Sequence, residues 1–315
     1  MAEGNKQKGI EDLGEFGLID YLTKHINLQN PSSILGIGDD ASVMHYPDKQ
    51  VLTSVQTLNE GIHFNLVYAP LKHLGYKAAV KAFSNIYAMN GKPRQLMVSL
   101  SISGTFSLKA LDMLYEGIKL ACGMYGVDFT GGDTNTSVTG MSITTVAIGE
   151  GDPNNLVYRS GAKNGDLICV TGDLGGAYMG LQLLEREKQV FQNDSGQQPE
   201  LKGKEYILER QLKPEARKDA VELFAEQDIL PTAMIDLTDG LASDLIQICK
   251  KSNTGCRIEY DRIPLHQETR EMAQEMNFDP VLAALHGGDD FELLFTADQE
   301  KEEQLNKITG LHIIG

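Results

Sequence analysis

Three stretches of the first half alternate apolar and small polar residues with a period of two: residues 51–57 (VLTSVQT), 95–103 (QLMVSLSIS) and 141–149 (MSITTVAIG). That period, with the content of β-branched residues, predicts strands. Between them the apolar positions change to helical spacing, which predicts helices over Leu74–Asn90 and Ser107–Tyr125. In the second of these, Leu108, Leu111, Leu114, Tyr115 and Ile118 fall on one stripe. The turn-rich run GEGDPNN at Gly149–Asn155 closes this first pattern. A second pattern follows. It predicts a strand at Asp166–Gly172, a helix over Gly175–Lys188, a flexible polar loop over 189–204 and a helix from Pro214. After these come a strand at Thr232–Leu237, a helix over 239–251 and a strand at Cys256–Tyr260. The chain stops in the strand-like run Leu311–Gly315, so further residues are expected in the natural protein. No internal repeat is visible. The pattern predicts an α+β protein with one domain over 1–150 and another over 151–315.

Composition narrows the partners. The chain has 315 residues, 41% hydrophobic and 23% charged, enough to bury a sizeable core. Its formal net charge of −16 disfavours nucleic acid and anionic lipid but is compatible with divalent cations. No apolar run approaches the ~20 residues of a membrane span. The start, MAEGNKQKGIEDLGEFG, lacks the apolar core of a secretory signal, so a cytoplasmic location is expected. Cys122, Cys169, Cys249 and Cys256 form no CxxC pair and are expected to be reduced packing residues.

Four elements place glycine beside aspartate near a strand: Gly36–Asp40 (GIGDD), Gly131–Thr134 (GGDT), Asp236–Gly240 (DLTDG) and Gly287–Asp290 (GGDD). Glycine lets backbone N–H groups approach a ligand, and aspartate is a hard oxygen ligand for Mg²⁺. Each alone is an ordinary turn. Four together suit a phosphate-rich ligand bridged by cations. Arg159, in YRSGAKNGD, offers a guanidinium fork for phosphate or is a surface arginine. His63, in EGIHF, is a candidate substrate contact or a structural histidine. The glycines of GDLGGAYMG at 172–180 suit a phosphate cradle or close helix–strand packing equally. No P-loop, HExxH, GxSxG or HRD signature is present.

Taken in order, LGEFGLID (13–20), GIGDDASV (36–43), LNEGIHF (58–64), GGDT (131–134), YRSGAKNGD (158–166), DLTDGLASDL (236–245) and GGDDFELLFT (287–296) resemble the thiamine-monophosphate kinases. These belong to the superfamily of aminoimidazole ribonucleotide synthetase and selenophosphate synthetase. The resemblance spans nearly the whole chain. It implies a two-domain aminoimidazole ribonucleotide synthetase-like fold, with an N-terminal dimerising α/β domain and a C-terminal α/β domain. It implies a homodimer with ATP between the protomers, and Mg²⁺-assisted in-line transfer of the ATP γ-phosphoryl group to thiamine monophosphate. Several Mg²⁺ ions would be held by Asp40, Ser54, Asp133, Asp236 and Asp239. ATP would meet Tyr115, Gly132, Asp133, Arg159 and Thr238, and the substrate would meet His63 and Asp289.

The chain departs from the family pattern in the metal site. Ser54-Val55-Gln56 stands where relatives have TTD, and Ala82-Phe83-Ser84-Asn85 where they have NxSD. Positions 55, 56 and 85 are therefore degenerate: Gln56 and Asn85 are neutral and cannot bridge two cations as a carboxylate does. A tryptophan that packs on the substrate in the family has no counterpart in these residues. Two further readings stay open: a catalytically weakened homologue that binds nucleotide or thiamine phosphate, and another ATP-using member of the superfamily.

Overall fold

The computed structural model describes residues 21–35, 43–193 and 198–315. The chain falls into two compact units. One takes the described part of Met1–Pro47 with Val55–Ala79 and Arg94–Ile148; the other takes Asp48–Ser54, Val80–Pro93 and Gly149–Gly315.

The first sheet follows a short antiparallel pair, β1 (Ser33–Leu35) and β2 (Val43–Met44). Its strands are β3 (Gln50–Asn59), β4 (Lys92–Ile102), β5 (Asp128–Thr136) and β6 (Met141–Gly151), in the order β3-β6-β4-β5. Helix α1 (Leu71–Tyr87) joins β3 to β4, and α2 (Leu108–Tyr125) joins β4 to β5. Strands β4 and β5 are parallel, as a helical crossover requires. Helix α2 starts where Ser107 accepts a bond from the Ala110 N–H, and it ends at Gly126 in the left-handed region. The two helices touch backbone to backbone: a Cβ on Gly75 would lie 2.0 Å from the Leu114 carbonyl, and one on Gly117 1.9 Å from that of Lys72. Along β6, Ile143, Thr145 and Ala147 are buried, and the Thr145 hydroxyl donates to the Ala78 carbonyl of α1 at 3.0 Å. The alternate positions Thr144, Val146 and Ile148 point to the other face and are partly exposed. There the Thr57 and Thr144 hydroxyls meet at 2.9 Å.

The second sheet is antiparallel, with strands β7 (Leu167–Thr171), β8 (Ala233–Asp236), β9 (Leu293–Ala297) and β10 (Leu311–Ile313) in the order β10-β7-β9-β8. Its helices are α3 (Gly176–Asn193), α4 (Glu205–Leu212), α5 (Lys218–Glu226), α6 (Leu241–Ser252), α7 (Gln267–Glu275), α8 (Pro280–His286) and α9 (Glu302–Leu305). The main core packs Val170, Ile235, Leu237, Leu241, Leu245, Ile248 and Leu294. A second cluster joins Met179 and Leu183 of α3 to Ile207 of α4 and Met272 of α7.

Three expectations change. Helix α3, expected to end at Lys188, runs on to Asn193; of the loop expected over 189–204, residues 198–204 are in neither helix nor strand, and α4 starts at Glu205. Arg186 bonds Glu275 at 2.7 Å, and Glu187 accepts from the Glu200 N–H at 2.9 Å. The helix expected from Pro214 begins at Lys218. Cys256–Tyr260 is not a strand: a backbone bond from Glu259 N–H to the Ile314 carbonyl, 2.7 Å, reaches the sheet's edge, and Tyr260–Arg262 turns into a short 3₁₀ helix. Cys122 and Cys169 are buried packing residues, whereas Cys249 is half-buried and Cys256 exposed. Close packing accounts for Gly180, because a Cβ there would lie 2.0 Å from the Ile207 carbonyl of α4. Among the described residues no helix is long and apolar enough to cross a membrane.

Candidate functional site

Two of the four Gly–Asp elements are laced together in the second unit. Asp236 pairs with Leu293 in the β8–β9 ladder, so the residues leaving β8 keep facing those entering β9. The Leu237 N–H donates to the Glu292 carbonyl at 2.8 Å, Phe291 N–H to the Leu237 carbonyl at 2.9 Å, and Asp289 N–H to the Thr238 carbonyl at 3.0 Å. The turn is tight enough to force Asp289 (φ 55°) and Phe291 (φ 56°) into the left-handed region. Non-glycine residues held there cost roughly 1 kcal/mol or more and persist where surrounding contacts impose them.

The C-terminal half of α1 lies against this pair of loops. Ser84 donates to the Asp236 carboxylate at 2.8 Å, and Lys81 Nζ lies 3.2 Å from Asp289 Oδ1. Asn85 Nδ2 donates to Ser54 Oγ at 2.8 Å. Asp236 is buried, which raises its pKa. The Ser84 hydroxyl and the positive charges of Arg159 and Lys81 act in the opposite sense. Asp244, in the first turn of α6, reaches back: its Oδ2 accepts from the Thr238 and Asp239 N–H groups, both at 3.1 Å. Burial pushes the Asp244 carboxyl up to about 6 despite those donors, with Asp239 and Asp236 adding in the same direction. Asp244 thereby moulds the DLTDG turn and leaves Asp239 exposed at its tip.

This unit therefore gathers Ser54, Asn85, Arg159, Asp236, Thr238, Asp239 and Asp289. Arg159 is exposed, and its carbonyl accepts from Ser252 Oγ at 3.3 Å. The remaining expected residues belong to the other unit. Gly132 and Asp133 lie at the exposed end of β5, in register with Val98 and Ser99, and Asn135 donates to the Asp133 carboxylate. Tyr115 is buried against Phe129, with ring centroids 5.9 Å apart, and burial raises its pKa against a bond to Thr134. His63 is exposed, and its Nδ1 accepts from the Asn59 N–H at 3.0 Å. Val55 is exposed and Gln56 partly so. Asp40 and the LGEFGLID motif lie outside the described residues.

Sequence reasoning missed Lys81, Ser84 and Asp244 as members of this site. A lysine inside the buried run AAVKAFS was the available signal for the first. The oxygen chemistry of Asp236, Asp239 and Ser54 suits Mg²⁺. Among the described residues, however, no three His, Cys, Asp or Glu side chains are grouped to hold an ion, and Asn85 spends an amide hydrogen on Ser54. These donors fit an ion shared with ligand phosphates, not one caged by this part of the protein.

Residues 38–150 match the family model of AIR synthase related protein, N-terminal domain, and residues 163–312 that of the C-terminal domain. The chain is 32% identical over 293 residues to the thiamine-monophosphate kinase of Aquifex aeolicus (strain VF5), covering 93% of this chain and 88% of that protein. It is also 32% identical over 305 residues to that of Bacillus subtilis (strain 168), covering 96% and 89%. The chain belongs to the thiamine-monophosphate kinase family. Its fold agrees: it is similar to the crystal structure of thiamine-monophosphate kinase from Stenotrophomonas maltophilia K279a, with a TM-score of 0.81, 29% identity, and 96% of this chain and 93% of that one covered. It is similar also to AaThiL complexed with AMPPCP and TMP, with a TM-score of 0.76, 29% identity, and 99% and 93% covered. The family fold is the two-domain, AIR synthase-like α+β fold, and its named members are phosphotransferases.

Proposed function

We propose that the chain transfers the γ-phosphoryl group of ATP to thiamine monophosphate, giving thiamine diphosphate and ADP. The observation that carries this reading is the laced pair of acidic loops, Asp236–Asp239 and Asp289, backed by the polar stripe of α1. Support comes from the thiamine-monophosphate kinases at 32% identity and from a structural neighbour complexed with AMPPCP and TMP.

In the transfer, the bond between the γ-phosphorus and its bridging oxygen breaks as an acceptor phosphate oxygen bonds to that phosphorus. A phosphate monoester is mostly dianionic near pH 7, so no strong general base is required. The protein's work is positioning and charge neutralisation. Arg159 presents a fork to the nucleotide phosphates; Tyr115, Gly132, Asp133 and Thr238 position the nucleotide, and His63 and Asp289 the substrate. Mg²⁺, when bound with the phosphates, would be held by Asp40, Ser54, Asp133, Asp236 and Asp239 and would neutralise charge on the transferring group. Asp244 fixes the backbone of Thr238 and Asp239, and Ser84 orients Asp236.

The functional division runs over 1–150, for nucleotide, metal and dimerisation, and 151–315 for the second domain. The apolar residues Val55, exposed, and Val146 and Ile148, partly exposed, on one sheet face support pairing with a second copy. The neutral Asn85, bonded to Ser54, favours one alternative, a slower homologue that binds these ligands without efficient transfer. The test is product formation from ATP with thiamine monophosphate set beside other phosphorylated acceptors. Turnover with a different acceptor alone would replace this reading by another ATP-using member of the superfamily.

A further inference from the structure

Lys81 is placed where a lysine is costly. Its neighbours Ala78, Ala79, Val80, Ala82, Phe83 and Ser84 are buried, and its own side chain is only 16% exposed. An ammonium group in such a place is costly unless it is matched by negative charge. Here it is matched. Nζ lies 3.2 Å from Asp289 Oδ1 and 5.7 Å from the centre of the Phe291 ring. Both partners are the residues held in left-handed backbone, so the strained loop turns one carboxylate and one aromatic face toward the same cation. The charge also acts on buried Asp236.

The surroundings on α1 sharpen this. Ser84 and Asn85 stand three and four residues beyond Lys81, on the same helix face. All three side chains act as donors: to Asp289, to Asp236 and to Ser54. Position 85 carries a neutral amide and Lys81, one turn away, an ammonium group, so the charge on this stripe is positive.

We propose that Lys81 is a built-in cation of the site. Its ammonium group supplies fixed positive charge beside Asp289, on the helix stripe that also binds Asp236. It thereby positions Asp289 and lets the phosphate of the substrate bind with reduced dependence on Mg²⁺. The inference rests on the reading that this site takes thiamine monophosphate, and it assigns Lys81 a positioning role.

The test is calorimetric binding of thiamine monophosphate to the whole chain, in EDTA and in saturating Mg²⁺, for the unaltered protein, Lys81→Met and Lys81→Arg. The unaltered protein and Lys81→Arg are expected to bind in EDTA, with affinity changing no more than about threefold on adding Mg²⁺. Lys81→Met is expected to bind about tenfold or more weakly in EDTA, the scale of one lost charged hydrogen bond, and to recover with Mg²⁺. A purely structural ion pair would lower the melting temperature of Lys81→Met without changing how its affinity depends on Mg²⁺, and that result would overturn the inference. So would a dependence on Mg²⁺ in the unaltered protein as steep as that of Lys81→Met. A failure of Lys81→Met to fold leaves the decision to the unaltered protein and Lys81→Arg, whose binding in EDTA is required. Absence of binding by all three proteins, with or without Mg²⁺, would remove the substrate reading and this inference together.

Discussion

Replacing Glu292 by glutamine is expected to destabilise the second unit by about 3–5 kcal/mol. Glu292 is 2% exposed and accepts from three donors: Arg210 Nη1 at 2.9 Å, Thr171 Oγ1 at 2.6 Å, and Arg217 Nη1. Arg210 cannot follow a departing partner, because its Nη2 is already bonded to the carbonyls of Asp173 and Asp290, at 3.0 and 3.1 Å. Among the described residues its Nε has no hydrogen-bond partner. Burial lowers the Arg210 pKa, but the charges of Glu292 and Asp290 more than offset this, so both guanidinium groups stay charged. Glutamine keeps the shape and removes the charge. It also turns one acceptor into a donor that faces a guanidinium. Two charge-assisted bonds at roughly 1.5–3 kcal/mol each give about 3–6 kcal/mol, which overlaps that range. Equilibrium unfolding in urea, which leaves charges unscreened, measures the loss. Glu303→Gln is the control: its partner Lys307 lies 2.6 Å away, but the two side chains are 86% and 71% exposed, so a change within ~1 kcal/mol is expected. Equal effects of the two substitutions would show that burial of the Glu292 network does not carry the assumed cost.

Gly180→Ala should cost about 1–3 kcal/mol in the same assay, because its Cβ would lie 2.0 Å from the Ile207 carbonyl and force α3 from α4; a neutral result would contradict that packing. Burial pushes the Asp290 carboxyl up to about 7, with Arg210 and the Gly175 N–H opposing and Glu292 adding to the shift. The folded state therefore holds a proton that the unfolded state releases near pH 4, so this group's stabilising contribution is lost as pH rises from about 4 to about 7, by at most ~1.4 kcal/mol per unit. Asp290→Asn should flatten that slope in urea unfolding at pH 5, 6 and 7, and an unchanged slope would contradict the assignment. Val146→Glu, on the partly exposed sheet face, should weaken the proposed pairing of two copies by about 100-fold or more, read by light scattering, through a buried unpaired charge. A monomeric unaltered protein would remove the basis for pairing through this face.

The strands over 51–57, 95–103 and 141–149 were legible because one face of each packs on helices, which enforces a period of two. Strand β7 was legible as a continuous apolar run. Helix α3 ends five residues beyond the expected Lys188 because polar residues can continue a helix on a solvated face, while residues 198–204 form the expected loop. Cys256–Tyr260 has strand composition but reaches the sheet only at its edge, a tertiary fact that no local pattern encodes. At the site, Asp236, Asp239 and Asp289 were visible as Gly–Asp turns. Their lacing, the backbone grip of Asp244 and the partnership of Lys81 with a residue 208 positions away were not, because each depends on which strands become neighbours.

The decisive measurement is ATP- and Mg²⁺-dependent formation of thiamine diphosphate from thiamine monophosphate by the unaltered chain, beside a Gln56→Asp, Asn85→Asp double variant. Turnover by the unaltered chain, raised in the variant by up to the ~10²–10³ that one well-placed electrostatic stabiliser commonly supplies, is the predicted result. No thiamine diphosphate from either protein would contradict the proposed kinase function.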